Sequence, residues 1–327
     1  MIARPFAPAL ILVLLVALLS IAGIFRPSLY STGVTIGIYS LIALPLGLLY
    51  GQGGTISLAQ GAFAALGAYT TAILTTRAGL SPWASIIPSV LVPAILAFVI
   101  ARPILRLPEL SLALVTLSLG TVVEVALQRG GDLTNGYVGL SGIPPLPIVG
   151  KSPVLDSVAI WAIVVIVVAL YSQFKSSARG RALNAIRVDR LLAEAMGVRV
   201  AFDLSVLFAI VAGTAGLAGW FYAHYIGYVA PDSLSVSLSA NILFMVVVGG
   251  RKAVLGPVIG AAFFTFASDL LPGTEMQGLI FGLLLVFVLM LSPDGLLSPP
   301  VLRRIADFWL GRVREPVVVA NLQDTGR

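Results

Sequence analysis

Gln52, Thr55, Ser57 and Gln60 are uncharged side chains that both donate and accept hydrogen bonds. They are interleaved with Gly51, Gly53 and Gly54 in a short stretch that runs on to Phe63. The glycines break a helix, and the polar groups then sit at the start of the next apolar run. In a bilayer, backbone exposed in this way is tolerated only beside other protein or a water-filled cavity. Two readings stand: a route for a polar solute, or a glycine-rich turn on the inner face. A second break, Gly249-Gly250, has Gly256-Pro257 and Gly260 after it and hints weakly at an internal repeat.

A second constellation is mechanical. Asp189 is a good N-cap for a short helix over Arg190–Met196, and Gly197 is a good stop. Arg190 and Glu194 stand four apart and can pair. Leu192, Ala195 and Met196 gather on one side, and Arg187 precedes the cap. Two turns of helix span only ~10 Å. Such a helix fits a plug for a partner's groove, and the small Ala195 and Gly197 allow close docking. An ordinary surface helix is the alternative.

Catalytic chemistry finds little support. A membrane transferase would need clustered carboxylates or histidines near an interface. The chain has one histidine, His224, and no cysteine. Its nearest acid is Asp232, and it reads as an interfacial residue among Tyr222, Tyr225 and Tyr228. No phosphate-binding Gly-x-x-x-x-Gly-Lys-Ser/Thr occurs. Glu124 reads either as a snorkelling partner of Arg129 or as a polar contact in an outer vestibule, and Asp269 is treated alike. The lack of a buried charge series argues against a proton-coupled carrier. Sodium coupling through backbone carbonyls stays open.

The elements that position these residues follow from composition. Of 327 residues, 10% are charged and 58% are apolar. Soluble domains carry roughly 25% charge, so a soluble fold is excluded. Disorder is excluded too, because it requires low hydrophobicity. The fold expected is all-α and polytopic. Ten apolar runs lie near Ala7–Phe25, Leu29–Leu49, Ile56–Leu74, Trp83–Ile100, Leu110–Leu127, Val154–Tyr171, Leu204–His224, Leu234–Val248, Val254–Leu271 and Met276–Leu291. Leu234–Val248 is short for a crossing of roughly 20 residues.

With a cytoplasmic N-terminus and ten crossings, every Lys and Arg except Arg26, Arg77, Arg129 and Lys151 falls inside. Both termini are then cytoplasmic. The charge of +6 is thus topological and does not signal nucleic acid. Arg4 with Ser20–Ala22 resembles a signal peptide, but the long apolar stretch and the immediate second span read as an uncut anchor. Residues 1–300 form one membrane domain with a basic inner loop over 172–203, and 301–327 form a cytoplasmic tail. The outer segment Gln128–Pro153 is rich in turns. Small faces at Gly213, Gly216 and Gly219, and at Gly61, Ala64, Ala65 and Ala68, predict close helix packing.

Six segments resemble the permease subunits of ATP-binding-cassette importers for branched-chain amino acids, of the M type. They are GQGGTISLAQGAFAALGAYT, LALVTLSLG, TNGYVGLSGIP, GRALNAIRVDRLLAEAMGV, AGLAGWFYAHYIGYVAPDS and VVGGRKAVLGPVIGA. The resemblance implies a bacterial inner-membrane, multi-pass subunit with no catalytic site of its own. Its partners would be a second homologous permease in a heterodimer, two cytosolic ATP-binding subunits, an external solute-binding protein and membrane lipid. ATP and magnesium would sit in the ATPases, leaving this chain without a cofactor.

The resemblance also implies that Arg187, Asp189, Arg190, Glu194, Ala195, Met196 and Gly197 form the coupling unit against an ATPase. Gln52, Gly53, Gly54, Thr55, Ser57, Gln60 and Phe63 would lie by the solute path. The chain departs from the family at Arg251-Lys252, where a glycine-rich turn is common, and at Ser292–Gly295, where Pro-Arg-Gly is frequent. Urea, short amides or aromatic acids are alternative solutes. A free-standing channel or a sodium-coupled carrier is the alternative function.

Overall fold

The computed structural model describes residues 8–16, 26, 28–105 and 107–270, with 279, 280, 282, 283, 286, 287, 290 and 295–297 beyond them. Residues 8–16 are helical. Ten labelled helices follow: α1 (Ser28–Gly53), α2 (Gln60–Thr76), α3 (Ile86–Ile104), α4 (Glu109–Gln128), α5 (Pro153–Ser176), α6 (Ala178–Val188), α7 (Arg190–Ala195), α8 (Val200–Ile226), α9 (Val236–Gly249) and α10 (Gly256–Leu270). Among the described residues, six helical segments are long and apolar enough to cross a membrane. The molecule is an all-α bundle of membrane helices.

The bundle is built around α1 and α8. α1 is buried along most of its length and packs against α5, α8, α9 and α10. α8 packs mainly against α2 and α3. The small-residue faces explain that closeness. A side chain on Gly219 would strike the Ala64 carbonyl, one on Gly216 would strike that of Ser89, and one on Gly67 would strike the backbone of Gly216. Apolar surface is no driving force between helices in lipid, so these approaches supply packing contacts instead. The outer flanks of α3, α4 and α5 remain apolar and exposed, at Ile95, Leu114 and Ile166 among others.

Several boundaries differ from the hydropathy reading. The third apolar run begins at Ile56, yet α2 starts at Gln60, and residues 54–59 are not helical. Gly54 at φ +65° turns the chain out of α1. α9 has 14 residues, ~21 Å of helix against a ~30 Å hydrocarbon core. A 3₁₀ turn at Pro231–Leu234 extends it, and the combined 19-residue segment Pro231–Gly249 has the length for a crossing. α5 runs on to Ser176, so the basic loop after it is shorter than expected and carries two helices, not one. The first and last expected runs are described only in part. Arg106 and the tail at 301–327 lie outside the described residues.

The segment 128–153 holds three short 3₁₀ turns and strand β1 (Leu140–Ser141). β1 pairs antiparallel with β2 (Tyr228–Val229), which follows α8. Tyr228 Oη donates to the Val138 carbonyl at 2.6 Å, tying the same two loops together.

Candidate functional site

The α6–α7 pair starts at Ser177, whose Oγ accepts from the Gly180 amide at 3.2 Å and caps α6. α6 turns Leu183 and Ile186 inward. Asp189 then ends α6 and caps α7, its Oδ1 accepting from the Leu192 amide at 3.0 Å. The far end of α7 closes with a left-handed residue, Gly197 at φ +85°. The Val198 amide donates to the Ala193 carbonyl, and the Gly197 amide to that of Glu194, each at 3.0 Å. This is the Schellman pattern. Cap and stop therefore fall on the residues that the sequence singles out. The last helical residue is Ala195, one short of the expected Met196, a difference within the ordinary fraying of a helix end.

α7 buries only Ala193 among its own residues. Leu191, Leu192 and Met196 are exposed at 79%, 61% and 79%, as is Val188 on α6 at 76%. A groove of about 430 Å³ opens between the two helices over Val188, Leu192, Ala193 and Met196. Arg190 pairs with Glu194 at 3.6 Å. Arg190 Nη1 also donates to the Leu105 carbonyl at 2.7 Å. That bond fastens α7 to the end of α3, a link across 85 positions that no local pattern announces.

The glycine stretch is held from two directions. The Leu58 amide donates to Thr116 Oγ1 of α4 at 3.0 Å, and the Gly61 amide to Ser239 Oγ of α9 at 2.9 Å. Glu124 Oε2 accepts from the Val236 amide at 3.2 Å and so caps α9. The beginnings of α2 and α9 meet here, because a side chain on Gly61 would press on the carbonyls of Ser235 and Leu234. Glu124 does not pair with Arg129; its carboxylate offsets the positive end of α9.

Gln52, Ser57, Gln60 and Phe63 are buried. Both amide atoms of Gln60, and Thr55 Oγ1, are buried without a hydrogen-bond partner among the described residues. Such groups are costly to leave unsatisfied.

The two constellations converge. Gly54 lies against Arg187, where a side chain would come within 2.6 Å of Cγ. Gly53, Gly54, Thr55, Arg187 and Arg190 line one cavity of about 250 Å³ with Leu105 and Leu204. The second glycine break also packs on the first. A side chain on Gly51 would collide with the Arg251 carbonyl, and one on Gly47 would meet Pro257 Cγ at 2.5 Å.

His224 is packed inside the bundle and not on its surface. It is 2% exposed, its Nδ1 lies 2.7 Å from the Pro144 carbonyl, and its Nε2 lies 2.9 Å from Thr71 Oγ1. A carbonyl only accepts, so Nδ1 carries a proton. Thr71 reaches Ser85 Oγ at 2.5 Å, and Trp220 Nε1 donates to the Pro82 carbonyl at 3.0 Å. The ring thus ties the loop that carries Pro144 to α8, α2 and the start of α3. No group of three or more His, Cys, Asp or Glu suited to a metal ion occurs among the described residues.

No solved structure matches the chain. The high-affinity branched-chain amino acid transport system permease protein LivM of Salmonella typhimurium is 30% identical over 287 residues, spanning 80% of this chain and 68% of the relative. LivM of Escherichia coli K12 matches to the same extent. The permease protein LivH of Salmonella typhimurium is 25% identical over 296 residues, covering 84% of this chain and 96% of LivH. The model of the family described as branched-chain amino acid transport system / permease component matches residues 28–289. That range takes in both glycine breaks, the α6–α7 pair and the bundle that carries them, so the chain belongs to the branched-chain amino acid transport system permease component family.

Proposed function

We propose that this chain is the M-type membrane subunit of an ATP-driven importer that moves branched-chain amino acids across a bacterial inner membrane. The observation that carries the reading is the α6–α7 pair. It is a capped basic unit whose Val188, Leu191, Leu192 and Met196 stand exposed on the bundle's surface. Monomeric surfaces rarely display such contiguous apolar area, and it marks a docking site. A cytosolic ATPase subunit is the partner proposed, with Arg187, Asp189, Arg190, Glu194, Ala195, Met196 and Gly197 as the coupling unit.

The remainder of the assembly comprises a homologous second permease, two ATPases and an external binding protein. Ten crossings with both termini inside, one membrane domain over 1–300 and a tail over 301–327 complete the topology. Solute would pass beside Gln52–Phe63. The buried Gln60 amide and Thr55 hydroxyl, unpartnered among the described residues, supply uncharged hydrogen bonds there. The close approach of Gly54 to Arg187 gives the coupling unit a direct mechanical connection to that stretch.

Ala195→Asp places a carboxylate on the exposed docking face. Uptake should fall while the subunit remains in the membrane at normal abundance. Undiminished uptake at equal expression would rule out docking through this helix.

A further inference from the structure

Thr116, Gly120, Glu124 and Gln128 recur at four-residue spacing and so share one face of α4. That face meets the segments that lead into α2 and α9. Thr116 Oγ1 accepts from the Leu58 amide, a side chain on Gly120 would come within 3.2 Å of Val236 Cγ2, and Glu124 Oε2 accepts from the Val236 amide. Gln128 Nε2 donates to Asp232 Oδ1 at 3.4 Å. Glu124 and the Asp232 partner of Gln128 are thus roughly one helical turn apart, ~6 Å along α4.

Neither acid forms an ion pair with another described residue. Glu124 is half-buried in an apolar helix. A carboxylate in a membrane segment is costly, and such residues mark solute paths. Capping α9 does not require this charge, because Ser235 stands at the cap position and its hydroxyl makes no cap bond. The cap uses Oε2 of Glu124, and Oε1 remains for another donor.

Two buried polar side chains of α2 border the same tract. Gln60 is wholly buried, and Gly61 beside it packs on the Ser235 and Leu234 carbonyls. Tyr69 is 2% exposed, and its hydroxyl lies within electrostatic reach of Asp232 and Tyr228. The Gln60 amide and the Tyr69 hydroxyl have no hydrogen-bond partner among the described residues. Ala59 supplies no side-chain cap to α2, whose positive end therefore lies open to an acceptor. Carboxylates on one side, with amide donors and a helix start on the other, complement a zwitterion. Urea, a neutral amide or an aromatic acid brings no cation to such a tract.

We propose that Glu124 receives the ammonium group of a zwitterionic amino acid, with Asp232 and the Tyr69 hydroxyl on its approach and Gln60 at the start of α2 facing its carboxylate. This rests on the transport reading above and deepens it, adding a residue that selects the class of solute and a second wall beside Gln52–Phe63.

The test separates the charge of Glu124 from its cap. Glu124→Gln keeps an oxygen for the Val236 amide and loses the charge, whereas Glu124→Asp keeps the charge on a shorter arm. ATP-driven leucine uptake is measured in proteoliposomes holding the complete assembly, with saturating loaded binding protein, beside the thermal midpoint. Glu124→Gln should lower turnover about 10-fold or more at a near wild-type midpoint. Glu124→Asp should keep more uptake than Glu124→Gln at a lower midpoint. A residue that only caps α9 gives the reverse order of uptake, and wild-type turnover in Glu124→Gln would overturn the proposal.

A second measurement needs no transport. The chain has no cysteine, so Gln128→Cys places a single thiol on the tract. Its labelling rates with a cationic and an anionic methanethiosulfonate reagent are read by mass spectrometry of this chain's peptides, in the purified assembly. The cation-to-anion ratio should fall about 10-fold or more when Glu124→Gln and Asp232→Asn are added. An unchanged ratio would also overturn the proposal. Failure of the wild-type assembly to import leucine, with the ratio behaving as expected, would fault the transport reading and leave the cation-receiving tract standing.

Discussion

Asp189→Ala removes the acceptor that holds the Leu192 amide at 3.0 Å. α7 has only six residues, ~9 Å of helix, so it cannot nucleate alone. Its order depends on the cap, on the Gly197 stop and on the Arg190 bond to Leu105. Loss of an N-cap costs about 1 kcal/mol, with a range of roughly 0.5–2. Local opening of α7 should then rise about five-fold. Hydrogen–deuterium exchange of the peptide spanning 189–198, measured in the membrane-embedded assembly, reads this directly. Exchange should quicken about five-fold there and stay unchanged in α8. Asp189→Asn should restore wild-type exchange, because asparagine caps as well as aspartate. Uptake per ATP hydrolysed should fall in the alanine variant and recover in the asparagine one. Unchanged exchange in Asp189→Ala, or equal quickening in Asp189→Asn, would refute the capping argument.

Other perturbations separate the roles of neighbouring groups. Arg190→Ala should impair coupling far more than Glu194→Ala, since it alone loses a charge-assisted bond to Leu105, worth about 1.5–3 kcal/mol, while the exposed ion pair contributes about 0–1. Uptake at equal expression compares them. Gly219→Leu should destabilise by about 1–3 kcal/mol or more, because it drives α8 off the Ala64 carbonyl; the assembly's thermal midpoint should fall, whereas a leucine at exposed Gly282 should leave it unmoved. Glu124→Ala should cost about 1 kcal/mol by uncapping α9, and Glu124→Gln should recover most of it, read again as thermal midpoint. His224→Ala should cost more than Glu124→Ala, since it leaves the half-buried Pro144 carbonyl and the buried Thr71 hydroxyl without that partner.

The parts of the fold legible in the sequence are those with local causes. Long apolar stretches announce most of the bundle, and the small residues of α8 and α2 announce the close packing of those two helices. Asp189 and Gly197 bracket α7 because capping chemistry acts within a single turn. α6 is not legible in the same way: it carries charges on its exposed side, and its inward residues Leu183 and Ile186 are too few for a strong periodic signal. Hydropathy starts α2 too early because it is blind to the left-handed turn at Gly54 and to the bonds that hold 54–59 to α4 and α9. Long-range hydrogen bonds are invisible for the same reason. Thr116, Ser239, the Glu124 cap on Val236 and the Leu105 anchor all join residues far apart in the chain. His224 reads as interfacial because a lone histidine near three tyrosines matches an interface pattern, while its two partners, Pro144 and Thr71, lie 80 and 153 positions away. The convergence of Gly54 on Arg187 also needs the tertiary structure, although each residue stands out by itself.

The most direct test of the central claim is flux in proteoliposomes. This chain should be reconstituted alone, and then with a homologous permease, the two ATPases and the external binding protein. Accumulation of radiolabelled leucine only in the full assembly, only with ATP, and abolished by Ala195→Asp is the result expected. Sustained solute flux through this chain alone, without ATP or partners, would contradict the account and mark the protein as a self-sufficient channel or carrier.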